Sequence, residues 1–358
     1  MSTLLVKVVQ IDNISPHPNA ERLELATIGG WNCVVRKSEF TEGQAVVYIP
    51  IDAVLPHDLE MKLFPPESKV RLHHSRVKSI KLRGVVSQGL VITLAEAGLD
   101  PDVTKIGDDV CEHLGITKYD PPEPGFQSAL GKSRMRKCNP EFRKYTDIEN
   151  IKNYNHVFEE GEWVSITEKI HGTSARFAVL PVECKTLWQK FLRWGGWIPR
   201  YEFCCGSRNV QVQPGDGVSV YTRIAEQYRF AEILEPGTAV YGEIVGYGIQ
   251  KGYSYGCLPG EIKFFAYDVM KNGEWLSPAE FECWCDLRCI PRVPVLHYGP
   301  YSYDHAKSLT IGHSYIGGQK IREGVVIKPI DESVSTCGRK VLKFVSDEFL
   351  LGDNTEYK

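Results

Sequence analysis

Lys169 closes an alternating run from Trp163 to Ile166, inside Thr167-Glu168-Lys169-Ile170-His171-Gly172-Thr173, and five strand-like segments follow it. They are Cys205-Gly206-Ser207-Arg208-Asn209, Tyr241-Gly242-Glu243-Ile244-Val245-Gly246, Lys263-Phe264-Phe265-Ala266-Tyr267-Asp268, Arg322-Glu323-Gly324-Val325-Val326-Ile327-Lys328 and Lys340-Val341-Leu342-Lys343-Phe344-Val345. Each is short and apolar and carries a charged or aromatic residue. Any one alone reads as a strand end with a solvated charge. Together they point to a fold rich in short strands, with Lys169 aimed into a pocket.

At 358 residues the chain is long enough for two domains, each with its own core. A hydrophobic content of 42% and a charged content of 24% place it among soluble globular proteins. No apolar run is long enough to span a membrane, and Met1-Ser2-Thr3 opens no signal segment. A cytoplasmic or nuclear protein with no membrane partner is expected. The net charge of −3 exerts no global pull on a polyanion, so any such binder must gather its positive charge locally. Between Glu67 and Glu96 there is no acid, while Lys69, Arg71, Arg76, Lys78, Lys81 and Arg83 are basic; Lys132, Arg134, Arg136 and Lys137 repeat the pattern between Glu123 and Glu141. Such runs are either solvated faces or the grip for a nucleic acid. The 11 cysteines are odd in number and include no C-x-x-C pair, which favours reduced core thiols over zinc or disulfides. Cys283, Cys285 and Cys289 have spacing suited to a helix that buries them.

The first part is β-rich: a strand begins with Val6, Val8 and Ile11, a Gly29-Gly30 turn joins two more, and Gln44 to Ile49 alternates. With Lys81 to Ile92, this spacing suggests a small barrel. Residues 1–118 form that domain, 119–140 a linker broken by Pro121-Pro122-Glu123-Pro124-Gly125, and 141–358 the second domain. Within the latter, Lys185 to Trp194 has helical spacing and is expected to pack on the sheet as an insertion. Ser277-Pro278-Ala279-Glu280 is a capping box opening a helix through about Leu287.

The spacing from Lys169 to Gly172, with the segments that follow, resembles the covalent nucleotidyltransferase superfamily of ATP-dependent ligases and capping enzymes, specifically its RNA ligase branch. Phe142 to Asn150, Gly161 to Val164 and Glu168 to Thr173 look like the opening of the phage nick-sealing RNA ligase 2 group, and the likeness covers about 141–358. The extra domain ahead of it is similar to that of Deinococcus-type RNA ligases, which carry an OB fold before the transferase. Ile14 to Leu23 with Arg83 to Gly89 also looks like the tRNA-binding OB modules appended to some synthetases. In that fold His17 and Gln88 belong either to structural turns or to ligand contacts. The fold so implied is α+β: an OB barrel, then a transferase of ATP-grasp-like antiparallel sheets with flanking helices.

A lysine attacks phosphorus only as the neutral amine, about 0.1% of the total at pH 7.4 for an ordinary lysine. Adjacent strand residues point to opposite faces, which frees Glu168 for another task. The resemblance implies that task is the adenine amino group, with Ile170 also in the ATP site. It implies that Phe264 stacks on the base, with Phe265 as its rival on the opposite face. Arg208 and Glu243 resemble contacts to the ribose or the RNA end, and Glu323 resembles the acid that holds a metal through water, with Glu243 as a further metal candidate. Lys328 and Lys343 resemble the lysines that neutralise the phosphates; Lys343, with Lys169 and Glu323, completes the catalytic set. His171 stands where many superfamily members have an acid, which favours RNA over DNA. The last strand commonly carries Lys-x-Lys, but position 345 is Val, so Lys340 or Lys328 would have to serve as the second lysine. The expected activity is ATP-dependent sealing of RNA 3′-hydroxyl and 5′-phosphate ends, at nicks in duplexes, through lysyl-AMP and RNA-adenylate. Mg²⁺ or Mn²⁺ would assist. Arg76, Lys78, Lys81 and Arg143 would contact RNA, and the protein is expected to be a monomer. The alternatives are an mRNA guanylyltransferase or DNA ligase, and an RNA-binding OB protein with a degenerate transferase. The first pair usually needs another OB fold after the last motif, and only 15 residues follow Lys343. The retained Lys169, Glu243, Glu323 and Lys343 argue against the second.

Overall fold

The computed structural model describes residues 4–68, 71–119, 135–136, 138–184, 186–214 and 219–351. The chain divides into two compact units, Met1–Pro122 with Asp347–Lys358, and Glu123–Ser346. Among the described residues no helix is long and apolar enough to cross a membrane.

In the first unit the strand Ala45–Ile49 lies between Lys7–Gln10 and Leu90–Thr93, antiparallel to both. It is apolar throughout because both its faces are covered. Val47 and Ile49 join Val6, Val8 and Ile92 in one core, while Val46 and Tyr48 join Ile11, Ile28 and Trp31 in another. A meander of Asn13–Pro16, Leu23–Ile28 and Trp31–Arg36 turns at the expected Gly29-Gly30, and a hairpin joins Ser79–Leu82 to Val85–Gln88. Among the described residues these pairings form separate sheets, not the ring of a barrel. Side chains tie the sheets together: Cys33 Sγ and the Tyr48 hydroxyl donate to the Gln88 carbonyl at 3.2 and 3.1 Å.

His17 and Gln88 are buried turn-locking residues. Nε2 of His17 lies 3.1 Å from the Leu82 carbonyl, and its Nδ1 accepts from the Asn19 N–H at 3.1 Å. The Gln88 amide donates to Asp347 at 3.2 Å, and Phe349 and Leu350 are buried. The helix Asp347–Leu351 therefore groups with the first unit, although the sequence assigns 141–358 to the second.

The basic run of this unit divides by burial. Arg76 is only 5% exposed, pairs with Asp52 at 2.6 Å and lies 3.7 Å over the Tyr119 ring. Its expected RNA contact is therefore corrected: the guanidinium is spent inside the unit. Lys78 is half-buried and Lys81 is exposed. Lys69, Lys132, Arg134 and Lys137 lie outside the described residues.

The second unit holds two sheets. Seven antiparallel strands run in the order Met135–Arg136, Gln211–Val212, Tyr201–Ser207, Thr173–Pro181, Thr238–Gly246, Ile262–Lys271 and Glu274–Trp275. The first of these falls in the stretch expected to be linker. Five strands form the other sheet: Glu149–Asn150, Leu342–Val345, Gly324–Pro329, Trp163–Lys169 and Val295–Pro300, with only the first pairing parallel. Helices Val220–Gln227 and Pro278–Leu287 cover one face of the larger sheet around Phe177, Phe230 and Tyr221. The second of them starts at the expected Ser277/Glu280 capping box. All 11 cysteines are free; of the three expected on a helix, Cys289 lies beyond its end and only Cys285 is buried. The expected insertion helix exists as Leu187–Trp194 but buries none of its residues, so it does not pack on the sheet.

Removing one partner of a buried ion pair costs about 3 kcal/mol or more. Arg76→Ala should therefore lower thermal stability by that order, whereas the exposed Lys81→Ala should stay within about 0.5 kcal/mol of the parent. Denaturant titration of both variants checks the division.

Candidate active site

The strand Trp163–Lys169 sorts its side chains by parity. Val164 and Ile166 enter the core of the five-stranded sheet, which leaves Ser165, Thr167 and Lys169 on the opposite face. Residues directly opposite in a ladder share a face. Lys169 faces Gly324, Thr167 faces Val326 and Ser165 faces Lys328, while Val326 in turn faces Lys343. Lys169, Lys328 and Lys343 therefore project from one surface.

The ammonium of Lys169 pairs with Glu323 Oε1. Glu323 is 2% exposed, and its Oε2 lies 3.8 Å from Nδ1 of the buried His171. After Lys169 the chain crosses from the small sheet to the large one within Ile170-His171-Gly172. Ile170 is a buried apolar residue of this passage. The His171 N–H donates to the Tyr255 hydroxyl at 2.8 Å, and its ring meets Tyr253 edge-on at 5.0 Å. Gly172 is obligatory here, because a Cβ would stand 2.3 Å from the Ile244 carbonyl oxygen.

Glu168, of the opposite parity, is 1% exposed. One oxygen accepts from the Tyr315 N–H at 2.9 Å, and the other has no hydrogen-bond partner among the described residues. Burial pushes this carboxyl up, against the pull of Ser314, Tyr315 and Arg322.

The large sheet contributes a second wall. Glu243 faces Ser174 on one neighbour and Phe265 on the other, and Ser174 shares a 3.2 Å hydrogen bond with the Tyr267 hydroxyl. Phe265 is half-buried on this wall. Phe264, expected as the base-stacking ring, is fully buried on the other face, 5.3 Å from Phe177 and 5.4 Å from Phe230. The expectation for Phe264 is corrected, because strand alternation turns that ring into the core and leaves its rival Phe265 on this wall. Arg208, just beyond the strand Tyr201–Ser207, pairs with Asp147. Arg143 pairs with Glu141 at 3.2 Å on the exposed surface.

Two further expectations change. Lys328 donates to Asp268 at 2.7 Å and to the Tyr267 carbonyl at 2.8 Å, in a buried network with Arg339 and Tyr145. Its charge is committed to Asp268 and not to a phosphate. Lys340 pairs with Glu162 at 2.7 Å and lies over the Phe158 ring of the core. Neither is placed to act as the second phosphate lysine; Lys343 is half-buried on the face of Lys169. Asp268 was visible in its motif, but no sequence signal paired it with Lys328 and Arg339, 60 and 71 positions away.

Hard cations take oxygen ligands. Among the described residues no three His, Cys, Asp or Glu side chains gather into a metal cluster. Glu323, buried with its Oε2 lacking a hydrogen-bond partner, fits a site in which the protein supplies one carboxylate and phosphate and water supply the rest. Glu243 stands on the facing wall.

Residues 162–345 match the RNA ligase family, and residues 5–94 match an OB-fold domain. No curated protein matches the chain. Among solved structures, Naegleria gruberi RNA ligase with pyrophosphate is 24% identical, with 97% of each chain covered and a TM-score of 0.73. A variant of that ligase with ATP and manganese is 23% identical over 97% of this chain and 98% of its own, with a TM-score of 0.73. Another, with AMP and manganese, is 23% identical at the same coverage with a TM-score of 0.72. These likenesses concern the fold.

Phe264→Ala should destabilise by about 3–5 kcal/mol, as for a core phenylalanine. Phe265→Ala should leave stability nearly unchanged but raise KM for ATP about tenfold, because base–aromatic stacking contributes about 1–3 kcal/mol. Unfolding curves and ATP kinetics on the pair decide between the rings. Burial alone would raise the Asp268 carboxyl, but Lys328 and Arg339 hold it below its ordinary 3.8. Its stabilisation is therefore present above about pH 3.8 and is lost as pH falls through the lower folded value. Asp268→Asn should cost about 3 kcal/mol at neutral pH. Stability measured against pH should show that gap closing only in strong acid.

Proposed function

We propose that this chain, which belongs to the RNA ligase family and is an ATP-dependent ligase, joins a 3′-hydroxyl to a 5′-phosphate at breaks in duplex RNA, with Lys169 as its nucleophile. The observation that carries the reading is the pairing of Lys169 with the buried Glu323, on the face that also presents Lys343.

Neutral Lys169 Nζ attacks the α-phosphorus of ATP. An N–P bond forms, the α–β bridging bond breaks, and pyrophosphate leaves. The ion pair with Glu323 has to open first, since only the free amine has the lone pair. A 5′-phosphate oxygen of RNA then attacks the same phosphorus, releasing Lys169 and leaving AMP in a pyrophosphate linkage on the RNA. The 3′-hydroxyl finally attacks the 5′-phosphate, and AMP departs. Naegleria gruberi RNA ligase has been solved with ATP and manganese, with AMP and manganese, and with pyrophosphate. Those are the nucleotide, residual nucleotide and leaving group this sequence of steps requires.

Roles follow from position. Phe265 stacks on the adenine, and the unpaired oxygen of Glu168 accepts from its amino group. Lys343 offsets phosphate charge, which spreads over the equatorial oxygens in phosphoryl transfer. Glu323, with Glu243 opposite, would hold Mg²⁺ or Mn²⁺; when bound, the cation would neutralise phosphate charge and compete with Lys169 for the carboxylate. Arg208 meets the ribose or RNA end. Lys78 and Lys81 of the first unit and Arg143 of the second supply contacts to RNA.

Lys169→Ala should abolish transfer of label from α-labelled ATP to the protein while still sealing RNA whose 5′ end is already adenylated. Adenylylation of that variant would remove Lys169 from the mechanism. GTP labelling the wild type as well as ATP does would remove the adenine-specific roles of Glu168 and Phe265.

A further inference from the structure

The hairpin of Thr173–Pro181 and Tyr201–Ser207 carries at its outer end an aromatic helix that the ligation chemistry does not use. No acid occurs between Glu183 and Glu202, while Lys190, Arg193 and Arg200 alternate with Trp188, Phe191, Trp194 and Trp197. The helix Leu187–Trp194 opens at a Thr186/Gln189 capping box. Its Leu187, Phe191 and Trp194 fall on one stripe flanked by Trp188.

Such a stripe normally faces a core, and this one faces water. Trp188, Trp194 and Trp197 are 66, 85 and 70% exposed. The arrangement is nevertheless built. Trp188 stacks on Phe191 with centroids 5.6 Å apart, and Phe191 meets Trp194 at 6.1 Å and Trp197 at 6.4 Å. Trp197 folds back over Gly195, where a Cβ would come within 2.5 Å of its ring. Arg193 donates to the Val182 carbonyl and anchors the inner side. Exposed apolar surface held in this way marks a binding face.

We propose that this finger holds an unpaired stretch of the RNA substrate, with bases stacked on Trp188, Trp194 and Trp197 and phosphates against Lys190 and Arg200. Rings on which bases stack, set among cations with no acid, are the requirements of a single-strand platform. A continuous duplex hides its base faces, so the bound stretch is unpaired. The exposed stripe is ring almost throughout, with Leu187 its one aliphatic member, which suits flat bases better than acyl chains.

The hairpin also fixes the distance. Its inner end, at Ser207, leads into Arg208 beside the nucleotide site, and Thr173–Pro181 has nine residues. At about 3.3 Å per residue the finger lies roughly 30 Å out, about nine stacked nucleotides. The inference rests on RNA being the substrate and adds a single-stranded arm to it.

The test compares the full chain with Trp188→Ala/Trp194→Ala/Trp197→Ala, and with the triple Phe variant that keeps the rings. Anisotropy would follow binding of labelled single-stranded RNA of about 16 nucleotides and of a blunt duplex of the same length. Affinity for the single strand should fall at least about tenfold in the Ala variant and be largely restored by Phe. Affinity for the duplex, lysyl-AMP formation and sealing of a fully paired nick should be unchanged. Loss of lysyl-AMP in Lys169→Ala concerns the proposed reaction and leaves this result independent. Unchanged affinity for the single strand overturns the proposal, as does an equal loss for the duplex. Two controls name what would replace it: wild-type sedimentation with phosphatidylserine vesicles, or self-association in the ultracentrifuge, abolished in the Ala variant while RNA affinity holds.

Discussion

The chemistry of the second unit depends on how the chain passes between its two sheets in the three residues after Lys169. The passage is tight because Gly172 lies against the Ile244 backbone, and a Cβ there would also meet Glu243 Cγ at 2.8 Å. It is locked from one loop, whose Tyr255 hydroxyl accepts from His171 and whose Gln250 amide donates to the Gly172 carbonyl at 2.8 Å. A lysine on a free strand end would sample many positions relative to Glu243 and Phe265. Here its strand is hydrogen-bonded on both sides, and the following strand is hydrogen-bonded to the one bearing Glu243. Lys169 and the facing wall are thus parts of one covalent and hydrogen-bonded frame, the fixed geometry that the proposed in-line attack at phosphorus would need.

On that frame, lysines on one face meet different fates according to their partners. Lys328 is buried with Asp268, Arg339 and Tyr145, and burial pulls its ammonium below the ordinary lysine range against the pull of Asp268. Four polar groups in so small a volume are stabilising only when mutually satisfied. That network joins the strand Gly324–Pro329 of one sheet to Ile262–Lys271 of the other. Lys169 pairs with Glu323 at the end of the same sheet, where the lysine is partly exposed. What separates the two lysines is the burial of the lysine itself and the network of Arg339 and Tyr145 around the acid of Lys328, not the strand or the face.

This explains which features were legible in the sequence. Lys169, Glu323 and Lys343 sit in local motifs whose alternation gives their face directly, and the structure brings Lys169 to Glu323 across 154 positions. The capping box at Ser277 and the Gly29-Gly30 turn are likewise local, whereas the choice between a structural and a ligand role for His17 and Gln88 is settled by Leu82 and Asp347, 65 and 259 positions away. Phe264 and Phe265 could not be separated, since alternation says only that they face opposite ways and not which way is inward. The register with Glu243 decides it. Arg76 and Lys328 were misread for a common reason. Arg76 looks free in a run without acids and Lys328 was assigned to phosphate by resemblance, but Asp52 and Asp268 lie 24 and 60 positions away. Lone acids beyond a local window leave no pattern in the sequence.

The helix at Leu187 shows the converse error, and its cause is physical. Amphipathic spacing specifies that a face is apolar, not what covers it. Packing that face on the sheet would require the hairpin to fold back on itself. Instead its strands pair without interruption to Pro181 and Tyr201, and the helix starts only after a capping box has fixed its direction. The apolar face is therefore left outward by the same regular pairing that carries Arg208 at its inner end. One hairpin sets both ends: on the proposed reading its inner end is limited by the chemistry of the nucleotide, and its outer end is free to be specified by the strand of substrate proposed to reach it.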